Sequence, residues 1–68
     1  MPLYQVAILQ KEKVKDKEVV EEEKIIVGVT ETLAADPQGA MITTILKNKV
    51  EIEQADQKRL EVIVRPFH

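Results

Sequence analysis

Tyr4-Gln5-Val6-Ala7-Ile8-Leu9 carries apolar side chains on both of its alternating faces, and that double pattern decides where the stretch sits in a fold. At period two, Tyr4, Val6 and Ile8 share one face, while Leu3, Ala7 and Leu9 share the other. A strand wetted on one side would alternate apolar with polar, and polar residues enter here only at Gln5 and Gln10. The run is too short for a buried helix, and its Val and Ile favour extended backbone. It is therefore expected as the interior strand of a small sheet.

Downstream, a long charged stretch leads to a second apolar run, Ile25-Ile26-Val27-Gly28-Val29. A turn at Asp16-Lys17 would set Ile8 against Ile25, Val6 against Val27 and Tyr4 against Val29, with Lys11 against Glu22 and Val14 against Val19. Asp-Lys is a poorer tight turn than Asp-Gly, so a wider loop would slip this register. The competing assignment, one helix from Asp16 to Leu33, puts Glu22 and Glu23 into the stripe of Val19 and Ile26 and places Gly28 in mid-helix, so the hairpin is preferred. The second strand is expected to continue through Thr30-Glu31-Thr32 towards Leu33-Ala34-Ala35, bending at Gly28.

Asp36-Pro37 is the clearest local signal: Asp caps a helix by accepting backbone N–H bonds, and Pro at the first helical position loses none. The helix should run from Gln38 to Lys47 with Met41, Ile42, Ile45 and Leu46 on one stripe and Asn48 as its stop. Val50-Glu51-Ile52-Glu53 alternates like a brief edge strand or extended connector, and Gln54-Ala55-Asp56-Gln57-Lys58-Arg59 reads as a polar turn. Leu60-Glu61-Val62-Ile63-Val64-Arg65 is a last strand, closed by Pro66. The expected fold class is α+β, in the order strand, strand, helix, strand. Its three-stranded antiparallel sheet has the first strand central, and the helix crosses one face right-handedly.

One helix covers one face. On the other, Leu3, Ala7, Leu9, Ile26 and Ile63 remain, more apolar surface than a small monomer leaves wet. A single domain of 68 residues also has a marginal core, since a chain near that length buries only about 60% of its unfolded surface. With no cysteine to staple it, packing or self-association must supply the stability. That face is accordingly the expected contact with a second copy or a protein partner.

Composition narrows the chemistry. The chain has no Ser, Cys or Trp and a single His at its last position, which removes nucleophilic triads, thiol catalysis and ordinary zinc sites. Gly28 and Gly39 are isolated and make no phosphate loop. Glu21-Glu22-Glu23 lacks the further oxygens of a divalent-cation shell and reads as a solvated face. No cofactor or metal is expected. No apolar run approaches the roughly 20 residues of a membrane span, so a cytoplasmic protein is the expectation. Size and composition suit a small accessory protein of a phage or microbe.

Two alternatives have named residues. Lys11, Lys13, Lys15 and Lys17 recur at every second position and could follow a phosphate backbone, although no aromatic is interleaved to stack on bases. Lysines on a projecting ribbon also prevent edge-to-edge aggregation. Separately, Met1-Pro2 followed by a strand resembles the opening of the small tautomerases, where an N-terminal proline left by Met removal acts as general base. That resemblance covers about eight residues and implies Pro2 as the base, with Arg59 and Arg65 as the available cations. It also implies a long helix after the first strand, where this sequence reads as a hairpin. Phe67, beside the terminal His68, is expected to cap a core edge or to dock into a partner.

Overall fold

The structure, a computed structural model, describes residues 2–67. It is a small α+β fold whose main sheet contains β1 (Leu3–Gln10), β4 (Lys24–Leu33) and β5 (Leu60–Pro66), in the spatial order β4-β1-β5 with both pairings antiparallel. β1 is central, as its two apolar faces require. A second, two-stranded sheet joins β2 (Lys13–Lys15) to β3 (Glu18–Glu21) and forms the far end of the same hairpin. The turn falls at Asp16 and Lys17, both at positive φ (54° and 65°), the primed geometry that matches strand twist. Asp tolerates that conformation better than most residues; Lys17 adopts it without a glycine's freedom.

Val14 pairs with Val19, as expected, but the register drifts from there towards the chain ends. Irregularities at Lys13/Val14, Ile8/Leu9 and Val6/Ile8 each add a residue to the returning strand. Ile8 therefore meets Val27 rather than Ile25, Val6 meets Thr30 rather than Val27, and Tyr4 meets Thr32 rather than Val29. Lys11 does not pair with Glu22; its N–H donates to the Arg59 carbonyl at 2.8 Å. The physical reason is burial. Val27 stays on the buried face in either register, but the bulge at Gly28 reverses the alternation beyond it, so that Thr32 is buried and Val29 exposed. The bulge nearest the chain end spans Gly28, where a bend was expected.

The helix α1 (Pro37–Lys47) begins as its cap predicts: Gly39 N–H donates to Asp36 Oδ1 at 2.6 Å, with Pro37 in the first turn. At its end the Asn48 side chain donates to the Thr44 carbonyl at 2.8 Å. Its inward residues are Ala40 and Thr44, with Met41 and Ile45 half-buried, whereas Ile42 and Leu46 face solvent. The expected stripe is thus rotated, because the small Ala40 lets the helix settle against Tyr4, Val6 and Ala34. Val50 to Glu53 is neither strand nor extended connector but part of α2 (Lys49–Gln54), where Lys49 and Glu53 stand one turn apart at 3.9 Å. Four alternating residues cannot outweigh the helix preference of Lys, Glu and Gln. A single 3₁₀ turn, Gln57–Arg59, precedes β5.

The core is small: Tyr4, Val6, Ile8, Val27, Ala34 and Ala40, flanked by Val62 and Val64. Two buried threonines tie the helix to β4. Thr44 Oγ1 donates to the Ala40 carbonyl at 2.9 Å, so its one proton is used. It must accept from Thr32 Oγ1, 3.3 Å away. Thr44→Val strands the Thr32 hydroxyl and should cost about 1–2 kcal/mol, whereas Thr32→Val with Thr44→Val should recover most of that loss. Urea denaturation of the single and double variants measures it, and additive losses would contradict the pairing.

Candidate functional site

The sheet face away from α1 has no covering element among the described residues. Leu3, Ala7 and Leu9 line its middle, and Ile63 of β5 stands beside Ala7 as its register partner. Four of the five residues expected on this face are therefore there. Ile26 is the exception. It is the extra residue of the bulge between Ile8 and Leu9, half-buried and lining a cleft beside α2, while its neighbour Ile25 takes the position opposite Leu9. The bulges add residues that strict alternation misplaces: Val29, and Leu33 opposite Leu3. Exposure is high for so many branched side chains, 71% for Ile25, 66% for Val29, 61% for Leu33 and 46% for Ile63.

A shallow depression of about 150 Å³ lies at the middle of this face, lined by Gln5, Ala7, Val29, Ile63 and Arg65 and reaching Val6. The small Ala7 side chain makes the floor. Arg65 Nε donates to Gln5 Oε1 at 2.8 Å and closes one end. The arrangement can accept an apolar side chain and offers guanidinium donors beside it.

At the other end of β1, Arg59 joins the hairpin to the segment before β5. Its Nε lies 2.8 Å from Asp56 Oδ2, one terminal nitrogen 2.6 Å from Glu21 Oε2, and the other donates to the Lys11 carbonyl at 3.3 Å. Its side chain is only 18% exposed. The Asp56 N–H in turn donates to Gln10 Oε1 at 2.8 Å. The Arg59 guanidinium and then the Lys58 N–H hold the Asp56 carboxyl below its ordinary value of 3.8, and Asp56 raises Arg59 in return. Beside this network is a cleft of about 450 Å³ bounded by Lys24, Ile25, Ile26, Glu51, Gln54 and Ala55. In sequence Arg59 read as a member of a polar turn and as an available cation near Pro2, and its place in this network was not legible because partners 38 and 48 positions away leave no local signature.

Other expected residues are dispersed. Lys13 and Lys15 lie in β2, each facing an acid across the ribbon, Glu21 and Glu18, while Lys17 is in the turn and Lys11 in the link after β1. Glu21 belongs to the Arg59 network, apart from Glu22 and Glu23 in the following link. Among the described residues no group of three His, Asp or Glu side chains is placed to hold a metal ion. No described helix is long and apolar enough to cross a membrane.

Pro2 is exposed, and its carbonyl accepts from the Ala34 N–H at 3.2 Å. Arg59 lies beyond the far end of β1, on the order of 25 Å along the strand, and Arg65 is held by Gln5, so neither is gathered around Pro2. A hairpin, not a long helix, follows β1. Phe67 is 43% exposed and its N–H donates to the Leu3 carbonyl at 2.9 Å, extending the pairing of β5. The expectations placed on Met1 and His68 lie outside the described residues.

Compared with protein-family models, curated proteins and solved structures, the chain finds no match.

The Asp56 pairing carries a pH signature. Its lowered folded-state pKa means the stabilisation is fully present above about 3.8 and is lost as pH falls through the lower folded value. Asp56→Asn should therefore lower the melting temperature at neutral pH, with the difference from wild type shrinking below pH 3.8. A difference independent of pH would mean the carboxylate's charge is not what holds Arg59.

Proposed function

We propose that the chain is a non-enzymatic interaction or assembly protein that associates with a second copy of itself through the uncovered sheet face. The observation that carries this reading is the imbalance between the two faces. The helix side of the sheet holds the buried core, while on the other side Leu3, Ala7 and Leu9 are only half-buried and Ile25, Val29, Leu33 and Ile63 are exposed, with no described element over them. Covering one exposed Val or Ile contributes about 1.5–3 kcal/mol, so closing several of these matters for a domain with so small a core.

Ile42, Leu46 and Val50 form a second exposed row along α1 and α2, but it is one side chain wide, whereas the sheet face is three strands wide. Oligonucleotide binding by Lys11, Lys13, Lys15 and Lys17 has less support, because Glu18 and Glu21 stand opposite two of the lysines.

Light scattering across a concentration series tests the reading. The mass should exceed that of the 7.7 kDa chain and fall on dilution. Val29→Lys, which adds a charge to the face without touching the core, should shift the equilibrium towards monomer by tenfold or more, roughly the effect of leaving one branched side chain uncovered. A wild-type monomer at every concentration would overturn it.

A further inference from the structure

β5 is an edge strand, paired with β1 on one side only. Its sequence, Leu60-Glu61-Val62-Ile63-Val64-Arg65-Pro66, is close to a palindrome of residue character. Turned end for end about Ile63, it sets Glu61 against Arg65, Val62 against Val64 and Ile63 against itself. The direction of the backbone bonds decides whether that match can be used.

Phe67 N–H donates to the Leu3 carbonyl and Lys11 N–H to the Arg59 carbonyl, and the register between these bonds is unbroken. Hydrogen-bonded pairs alternate along an antiparallel ladder, so Glu61, Ile63 and Arg65 direct their N–H and C=O groups to β1. Leu60, Val62 and Val64 direct theirs to the open edge. Pro66, which has no N–H, falls at an edge-facing position, where it removes no bond to β1.

We propose that β5 is the two-fold seam of a dimer, pairing antiparallel with β5 of a second copy about Ile63. This rests on the reading that the chain self-associates, and adds to the face a second, edge-to-edge contact through which two copies join side by side. In this register Val62 and Val64 bond reciprocally to Val64 and Val62 of the second copy, and each Leu60 N–H reaches a Pro66 carbonyl. Glu61 faces Arg65 of the second copy at a site where no backbone bonds intervene and side chains approach most closely. Glu61 has no ion pair among the described residues, and Arg65 spends its Nε on Gln5, leaving its terminal nitrogens available. Shifting the axis to Val62 or Val64 sets Glu61 against Ile63 or Phe67, and shifting it to Glu61 or Arg65 brings like charges together. Only the register about Ile63 satisfies both charges and bonds. The opposite edge, β4, is bulged at two points and offers no such ladder.

The seam enlarges the uncovered face rather than covering it. A three-stranded face about 14 Å by 26 Å covers on the order of 400 Å², near half of the roughly 800 Å² per partner that stable interfaces bury. Joined along β5, two copies make one six-stranded sheet with helices on one side and a doubled apolar face on the other.

Charge reversal tests the seam. Sedimentation should show Glu61→Arg and Arg65→Glu each weakening the dimer about tenfold or more, and the double variant E61R/R65E restoring it, since opposite charges then face each other again. Circular dichroism checks that each variant folds; should one fail, Ile63→Cys gives a second readout. With no other cysteine in the chain, it should oxidise to a disulfide-linked dimer, because facing residues at such a site have Cα atoms about 4.5 Å apart. Association that ignores both reversals but is lost in Val29→Lys would overturn the seam and leave the face reading standing. A monomer at every concentration would overturn both.

Discussion

β1 takes backbone hydrogen bonds on both edges, from β4 and from β5, and nearly everything else in the molecule is fastened to that strand. Its inner residues, Tyr4, Val6 and Ile8, make half of the buried apolar core. The helix that covers them presents Ala40 and Thr44, small enough to sit close but too small to bury much. Local capping at Asp36 and the Thr32–Thr44 contact hold that helix in place. Among the described residues there is no second long helix to cover the reverse side of β1, and no element lies over its apolar residues there. A strand placed by hydrophobicity on both faces, in a chain that covers one, is the physical basis of the interaction proposed.

The same strand explains the hairpin's shape. Among the described residues no helix or further strand packs a layer against the ribbon of β2 and β3, and Arg59 attaches it to the body, reaching Asp56, Glu21 and the Lys11 carbonyl together. One fork of guanidinium donors substitutes for a packed layer at this point. The ribbon's tip keeps the register expected from its turn, while the part over the helix is shifted by bulges that follow the demands of burial.

Much of the fold was legible because local chemistry and global position agree. Tyr4 to Leu9 is apolar on both sides and is central; Asp36-Pro37 starts the helix; Asp16-Lys17 turns the hairpin. Where they disagree, pattern reading fails. Bulges leave no period of their own, so Val29 was assigned to the wrong side and Ile26 to the uncovered face. Val50-Glu51-Ile52-Glu53 alternates by chance within a helix of Lys, Glu and Gln. On the candidate face, Leu3, Ala7, Leu9 and Ile63 followed from alternation alone. The contribution of Arg59 depended on long-range contacts, and the symmetry of β5 acquires meaning only once the direction of its amides is known.

Amide hydrogen exchange as a function of protein concentration tests most directly whether a second copy completes this sheet. Glu61, Ile63 and Arg65, bonded to β1, should be protected at any concentration. The edge-facing amides of Leu60, Val62 and Val64 should exchange freely in dilute solution and become protected as concentration rises. Equal exchange of these three amides at all concentrations, in protein whose β1-bonded amides remain protected, would contradict edge pairing at β5.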